Sequence, residues 1–542
     1  MKKASTPSFI LELPLRTTTS DESFILKQLN TGRQVYNACV GELIKRLDLM
    51  KQSKDYQRAV KIPKGKLGSV NQKTRTLVFA ELNKRFKFTP YDISEYATDQ
   101  IRDSWIGDHV NSRLTQTISA RAFKTVQKKA FRIAKRVRFK GRNQFDSMEG
   151  NDNKTGLIFR DGILNFKELK IPCIIDEHDE YQKYGLKHRV KYCRIVRRKF
   201  GLKNRFYVQL ILEGFSYKNP DNIIGTEEVG LDIGPSTIAY VGDTTAELKE
   251  FCPELKPDWR KKCRLQRKMD RSKRTMNPDN YNENGTIKKG RKGRKFWQQS
   301  NIYKRTRNAL ANHERKVAAH RNSLHGKLAN EIIAVGVKIK TEKISYRGWQ
   351  KMYGKSILMK APSMIVNKIQ RKAENAHGYL HEIPTYSTKL SQTCHICTVQ
   401  VKKPLNQRWH RCCDIEVQRD LYSAYLAKCV DKTTDVLDII KANKLWSSLE
   451  PVLNNAISRT EARVSEQLAT NKSVNGRTHA PSSFGLAQRQ SRSHLKPEKT
   501  TTKAIDDVIQ NADESYREVV SKSGTLSLGR GGFRCCFTGW SH

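Results

Sequence analysis

The sequence predicts a multidomain α+β protein, and three shifts of hydrophobic period along its 542 residues predict it. Residues 21–142 are largely basic with apolar positions at helical spacing, 155–215 alternate as strands do, and 226–430 mix strands with long helices. So long a chain exceeds what one hydrophobic core usually organises. The boundaries fall at 1–18, a first strand joining the later β module; 19–145, helical; 146–225, β; 226–430, mixed; and 431–542, a C-terminal extension. The mixed module contains a basic helical insertion at about 255–330 and a Cys-rich ribbon at about 388–416.

Each element has a local reason. SFILELPL at 8–15 reads as a strand closed by Pro14, and Ser20 or Asp21 caps the helix that follows. Its apolar residues run Phe24, Ile25, Leu29, Val35, Tyr36, Val40, Leu43, Ile44 and Leu47. The last helix of this module, taken to 142, sets Phe123, Val126, Ala130, Ile133, Ala134 and Val137 on one face. Lys124, Lys128, Lys129, Arg132, Lys135, Arg136 and Arg138 occupy the rest, a density of cations that predicts contact with a phosphate backbone. GLIFRDGILNF, YCRIVRRKF and RFYVQLILEG are strands, turning at Gly162 and at Gly201 with Asn204.

Residues 226–242 read as a hairpin turning at Gly234-Pro235. Two basic runs, WRKKCRLQRKMDRSKR and KKGRKGRKFW, flank the exposed loop NPDNYNENG. A long helix with Leu310, Val317, Leu324, Leu328 and Ile332 at helical spacing stops near Gly336, and the strand VKIKTE comes next, then a basic loop and a helix to about 378. TTDVLDIIKANKLWSSLEPVLNNAI makes one or two helices. The polar, aromatic-poor stretch from NKSVNG onward is expected to be disordered, and the terminal GRGGFRCCFTGWSH receives no assignment.

Lys and Arg number 102 against 54 Asp and Glu, a formal charge of +48, which makes a polyanion the expected partner. No apolar run approaches the ~20 residues of a membrane span, and the opening MKKASTPSFILELPLR lacks a signal peptide's apolar stretch. A cytoplasmic, nucleoid-associated location follows, with no membrane partner; whether the chain is a monomer is left open.

In so basic a chain three acids stand out: Asp232 in GLDIGPSTIAYV, Glu342 at the end of VKIKTE, and Asp420 opening the helix RDLYSAYLA. Asp232 lies among Val229, Leu231 and Ile233, where a lone carboxylate is costly to bury unless it meets a metal or a cation. Glu342 alternates onto the face of Lys338 and Lys340, so it could also be exposed. Phosphodiester hydrolysis needs an activated water and a stabilised leaving oxygen, which two Mg2+ ions on a few carboxylates supply, so the three acids read together as a nuclease site.

Twelve cysteines include four between 394 and 413, a clustering that predicts zinc rather than disulfides. Cys394 and Cys397 form one pair; His410 with Cys413 has the same spacing and is the preferred second pair, while Cys412 could replace either member.

At these residues the chain resembles the TnpB and type V CRISPR effectors, RNA-guided DNA nucleases with a RuvC-like domain. GLDIGPSTIAYV resembles their first RuvC motif, IKTEKIS the second, and TKLSQTCHIC…HRCCDIEVQRDLYSAYLA the zinc ribbon running into the third. In that pattern the last zinc ligand precedes the catalytic Asp by seven residues, as Cys413 precedes Asp420; this selects Asp420 over Asp414 and puts His410 where a cysteine is usual. The basic segment between the first two motifs and FILELPLR…RQVYNACV resemble further parts of the family, so the resemblance spans about 5–430. The extension beyond 430 departs from shorter members.

The resemblance implies an RNase H-like (RuvC) nuclease domain with a zinc ribbon, a β-barrel-type wedge domain and a helical recognition domain. It implies Asp232, Glu342 and Asp420 as the catalytic ligands of two Mg2+ ions, a structural Zn2+, a guide RNA and a double-stranded target DNA. Sequence choice would then lie in base pairing and a short target-adjacent motif. Backbone contacts are expected from Lys124, Lys128, Lys129, Arg132 and Arg136, and from Arg264, Arg267, Lys268, Arg271, Lys273, Arg274 and Arg321. Tyr36, Trp297 and Trp349 are candidates to stack on bases, although aromatics more often fill cores. Two other readings compete: a nuclease-inactive, RNA-guided DNA-binding repressor, which should lack one of the acids, and a guide-free zinc-ribbon nucleic-acid-binding protein.

Overall fold

The computed structural model describes residues 6–65, 68–102, 104–288, 296–404 and 406–475. The terminal GRGGFRCCFTGWSH, the polar stretch beyond 475 and most of KKGRKGRKFW lie outside the described residues.

Strand β1 (Ser8–Pro14) leads into five helices: α1 (Thr19–Gln52), α2 (Lys54–Lys61), α3 (Val70–Arg85), α4 (Pro90–Arg102) and α5 (Ser112–Ala130). Thr18 caps α1 in a capping box with Asp21, so Asp21 answers the cap rather than forming it. The sequence reading ran the last helix to 142, but α5 stops at Ala130. Arg132 turns left-handed (φ 58°), and the Ile133 and Arg132 amides close back on the carbonyls of Lys128 and Lys129, a Schellman ending without the glycine that would have announced it. Ile133 is consequently exposed instead of continuing the apolar stripe.

The β part contains β2 (Ser147–Glu149), β3 (Leu157–Arg160), β4 (Ile163–Phe166), β5 (Leu169–Pro172), α6 (Glu180–Leu186), β6 (Val190–Phe200) and β7 (Lys203–Glu213). Two antiparallel sheets result, ordered β1-β7-β6-β2 and β3-β4-β5. They meet through the bridge Leu15–Cys173 rather than a continuous ladder. Pro14 is the last residue of β1, as expected; it lacks a donor, but its carbonyl accepts from the Ile174 amide at 2.8 Å. One hydrophobic core runs unbroken from β1 and α1 through α5 to β6 and β7.

The remaining elements are β8 (Glu228–Ile233), β9 (Thr237–Val241), β10 (Ala246–Glu250), α7 (Lys256–Thr275), α8 (Asn301–Val335), β11 (Lys338–Glu342), α9 (Tyr346–Lys360), α10 (Pro362–Asn375), β12 (Tyr379–Ile383), α11 (Thr385–Thr388), β13 (Trp409–Cys412), β14 (Ile415–Gln418), α12 (Arg419–Cys429) and α13 (Ile439–Asn475). Five strands form one sheet, β10-β9-β8-β11-β12, antiparallel from β10 to β8 and parallel from β8 to β12. Residues of β9 alternate between its faces: Ile238 and Tyr240 join a core with α8 and α10, while Ala239 and Val241 join a second core with α12 and α13. The sheet is therefore covered on both sides. Among the described residues no helix is long and apolar enough to cross a membrane.

Candidate metal centre

Asp232 is the fifth residue of β8, at the centre of the mixed sheet. Its parallel neighbour β11 pairs Thr341 with Leu231, so the next rung sets Glu342 beside Asp232, both on the face under α12. Asp420 comes from above, in the first turn of α12. Gly230 lets it approach: a Cβ there would lie 1.8 Å from the Ala424 carbonyl oxygen, so α12 rests on bare backbone. Gly230 and Asp232 share one face of the strand, and Ala424 and Asp420 lie one turn apart on the helix; the two spans are nearly equal, ~6.6 and ~6 Å. That match carries Asp420 to Asp232.

Part of the surface of Asp232 and of Glu342 reaches solvent. Burial nevertheless drives the Asp232 carboxyl well above the usual carboxylate range, with Asp420 and Glu342 adding repulsion and Arg419 and Arg408 opposing it. Burial also raises Glu342, against a hydrogen bond from the Leu390 amide. Asp420 is held by its neighbours. Thr237 Oγ1 donates to its Oδ2 at 2.8 Å, and Arg408 and Arg419 stand 3.7 Å from its two oxygens. Gln418 accepts from the Asp420 and Leu421 amides at 2.7 and 3.0 Å and so caps the helix. The three carboxylates thus act on one another electrostatically, Asp232 being raised by both of the others. Among the described residues only the four cysteines of the ribbon have their ligand atoms gathered within 4.8 Å.

The second centre is the ribbon. The sulfurs of Cys394, Cys397, Cys412 and Cys413 all lie within 4.8 Å of one another. Cys412 Sγ is 3.5 Å from that of Cys397 and 3.6 Å from that of Cys413, close to the ~3.8 Å edge of a tetrahedron with Zn–S bonds of about 2.3 Å. The set therefore fits Zn2+. Cys397 is lowered to about 7, first by the Val399 amide and then by the Cys412 and Cys413 thiols, in keeping with a shared thiolate.

This geometry corrects the expected ligand His410. β13 and β14 are joined by Cys413-Asp414, both left-handed (φ 49° and 62°), a two-residue turn that puts Cys412 and Cys413 together at the hairpin tip. His410 sits two residues back along β13, buried against the Tyr422 ring at 4.1 Å, with Nδ1 facing the Lys403 ammonium. The pair at the tip is adjacent in sequence, so a search for two-residue spacing passes over it.

The expected nucleic-acid contacts separate into kinds. Lys124 and Lys128 are exposed on α5, Lys124 at the rim of a cleft of about 400 Å3 that Arg121, Asn151 and Tyr192 also line. Arg132 and Arg136 are exposed beyond the end of α5, and Lys129 is half-buried, 3.9 Å from Asp48. On α7, Arg264, Arg267, Lys268 and Arg271 are exposed, Lys273 stacks on Trp297 at 3.9 Å, and Arg274 pairs with Asp270 at 3.0 Å. Arg321 is turned inward, donating to the Met359 carbonyl at 3.1 Å, and acts in packing rather than as a free surface cation. Tyr36 is likewise core, its hydroxyl 3.1 Å from Thr125 Oγ1. Trp349 lies against Tyr346 and Tyr353. Gly230, Thr237, Gln418, Arg408 and Lys340 were not singled out; the glycine inside GLDIG was the one available signal.

No protein-family model matches this chain, and no curated protein does. Solved structures similar to it include two cryo-EM complexes. One, a cryo-EM structure of a Cas12f1–sgRNA–target DNA complex, has 11% identity and a TM-score of 0.39 and covers 77% of this chain and 98% of its own. The other, a cryo-EM structure of a CRISPR–Cas12f ternary complex, has 12% identity, a TM-score of 0.23 and the same coverage. At these scores neither likeness bears on what this chain does.

Proposed function

We propose that this protein is an RNA-guided DNA endonuclease, its nuclease centre built by Asp232, Glu342 and Asp420 in an RNase H-like domain. The convergence of three acids from β8, β11 and α12 within a chain of charge +48 carries the reading. A chain that serves only to hold nucleic acid has no use for a desolvated carboxylate flanked by two others, since each repels phosphate. A pair of Mg2+ ions held there would activate water and stabilise the leaving oxygen. Thr237 and Gln418 hold the Asp420 carboxylate and its helix end in place. Arg408 and Arg419 add positive charge at the edge of the site, where a scissile phosphate would enter.

The four-cysteine ribbon would carry Zn2+ as a structural element. Its hairpin runs directly into α12, so folding the ribbon would order the strand that ends at Gln418 and the first turn of α12 that bears Asp420. Exposed cations of α5 and α7 would bind guide and target through their backbones, while base pairing selects the sequence.

The test is cleavage of guide-complementary double-stranded DNA by protein purified with its associated RNA. Cleavage should require Mg2+, stop with EDTA and vanish in Asp232→Ala, while RNA and target binding persist. Undiminished cleavage by Asp232→Ala would refute the assignment of the centre.

A further inference from the structure

Lys340 carries a buried ammonium beneath the C-terminal end of α12. It lies on β11 two residues before Glu342, on the same face of the sheet, and is 3% exposed. Its Nζ donates to the Lys428 carbonyl at 3.1 Å and the Val430 carbonyl at 2.5 Å, and it pairs with Glu228 Oε1 at 2.6 Å. The two carbonyls belong to the C-terminal end of α12, where unpaired acceptors and the helix dipole favour a cation. Glu228, at the start of β8, also accepts from Lys441 of α13 at 2.6 Å. Lys428, the next-to-last residue of α12, reaches down to the Glu228 carbonyl at 2.6 Å and to Asp243 at 2.7 Å.

The distances along the two elements agree. From Glu228 to Asp232 the strand climbs four residues, ~13 Å. From Lys428 back to Asp420 the helix runs eight residues, ~12 Å. With Ala424 seated on Gly230 midway, fixing the far end of α12 against Glu228 fixes where Asp420 falls against Asp232. A slip of one helical turn, ~5.4 Å, would carry Asp420 out of reach.

We propose that Lys340 is a positioning residue for the metal centre, setting the register of α12 on β8 through its bonds to the Lys428 and Val430 carbonyls. This rests on the nuclease reading for the identity of the ligands. The bonds to the two carbonyls set register; the ion pair with Glu228 keeps the buried ammonium compensated. These two roles are separable.

The test is Mn2+ binding to the full-length protein, followed by electron paramagnetic resonance, beside thermal melting. Glu228→Gln alone should lower stability and leave Mn2+ affinity within about twofold of the parent, because both carbonyl bonds remain. The pair Lys340→Met with Glu228→Gln removes the buried ammonium together with its carboxylate. Lys441 loses the same partner but its side chain is 35% exposed and can turn to water, so stability should recover relative to Glu228→Gln while Mn2+ affinity falls tenfold or more. If that pair does not fold, Lys340→Gln in the Glu228→Gln background, which keeps one donor, takes its place, with an expected loss of threefold or more. Affinity equal to the parent in the double variant, or a loss in Glu228→Gln as large as in the double variant, overturns the proposal. Parent protein whose Mn2+ binding is unaffected by Asp232→Ala would instead overturn the nuclease reading on which it stands.

Discussion

Single side chains decide whether the centre exists. Gly230 is the clearest case, because a methyl group there would stand 1.8 Å from the backbone oxygen of Ala424. Gly230→Ala should therefore lift α12, lowering stability by about 1–3 kcal/mol or more and abolishing cleavage, although no proposed ligand is altered. Melting and cleavage measured together check it. His325 makes a separate prediction about pH. It is buried, stacks on Phe251 with ring centroids 5.6 Å apart, and bonds the Lys360 carbonyl at 2.9 Å. Burial lowers it to about 4 from an ordinary 6.5, so the folded protein keeps it neutral. The unfolded chain takes up a proton first as pH falls, so this contribution is whole above pH 6.5 and is lost between 6.5 and about 4. The melting temperature of His325→Gln should fall less steeply over that window than the parent's.

At the scale of elements, the ribbon hairpin and the end of α5 show how local backbone overrides pattern. Cys394 and Cys397 were legible from spacing; the second pair was not, since a turn of two left-handed residues makes neighbours 412 and 413 converge. Cys412→Ser should reduce bound zinc to well below one per chain, whereas His410→Phe should retain it, as elemental analysis of the purified proteins would register. Retention by the first and loss by the second would restore the histidine as ligand. For α5, apolar periodicity continued to Val137, but a left-handed Arg132 ended the helix without glycine. The strands and hairpins were easier to read. Alternation and turn residues mark β3, β4, β6 and β7, and Gly234-Pro235 marks the turn between β8 and β9.

Over the whole molecule, the segment that the sequence left without a role becomes a wall of the module built on the five-stranded sheet. The sequence allowed one or two helices after 430; the structure forms α13 as one, with Pro451 inside it. Leu449, Leu453 and Ile457 are buried in the core that also holds Tyr422 and Leu426 of α12, and Thr460 bonds the Leu248 carbonyl at 3.1 Å. Three such side chains contribute about 2 kcal/mol each, ~6 kcal/mol together, which is comparable to the net stability of a domain. Ending the chain at 438 should therefore yield insoluble or inactive protein, checked by soluble yield and by zinc content. A soluble, cleaving truncation would show that α13 is dispensable.

Composition, periodicity and short motifs determined the broad plan: a basic α+β chain, the places of most strands and long helices, the three acids, and a cysteine cluster able to bind zinc. Those features reside in residues close together along the chain, where strand alternation, helical spacing and turn chemistry are all local. Only the tertiary structure decided that Cys412 joins the sulfur cluster, that Lys340 is buried beneath α12, and that Asp420 lies near enough to Asp232 to raise its carboxyl. The first depends on a turn of two left-handed residues; the others depend on the height and register at which α12 settles on the sheet, set by contacts between residues about ninety to two hundred positions apart.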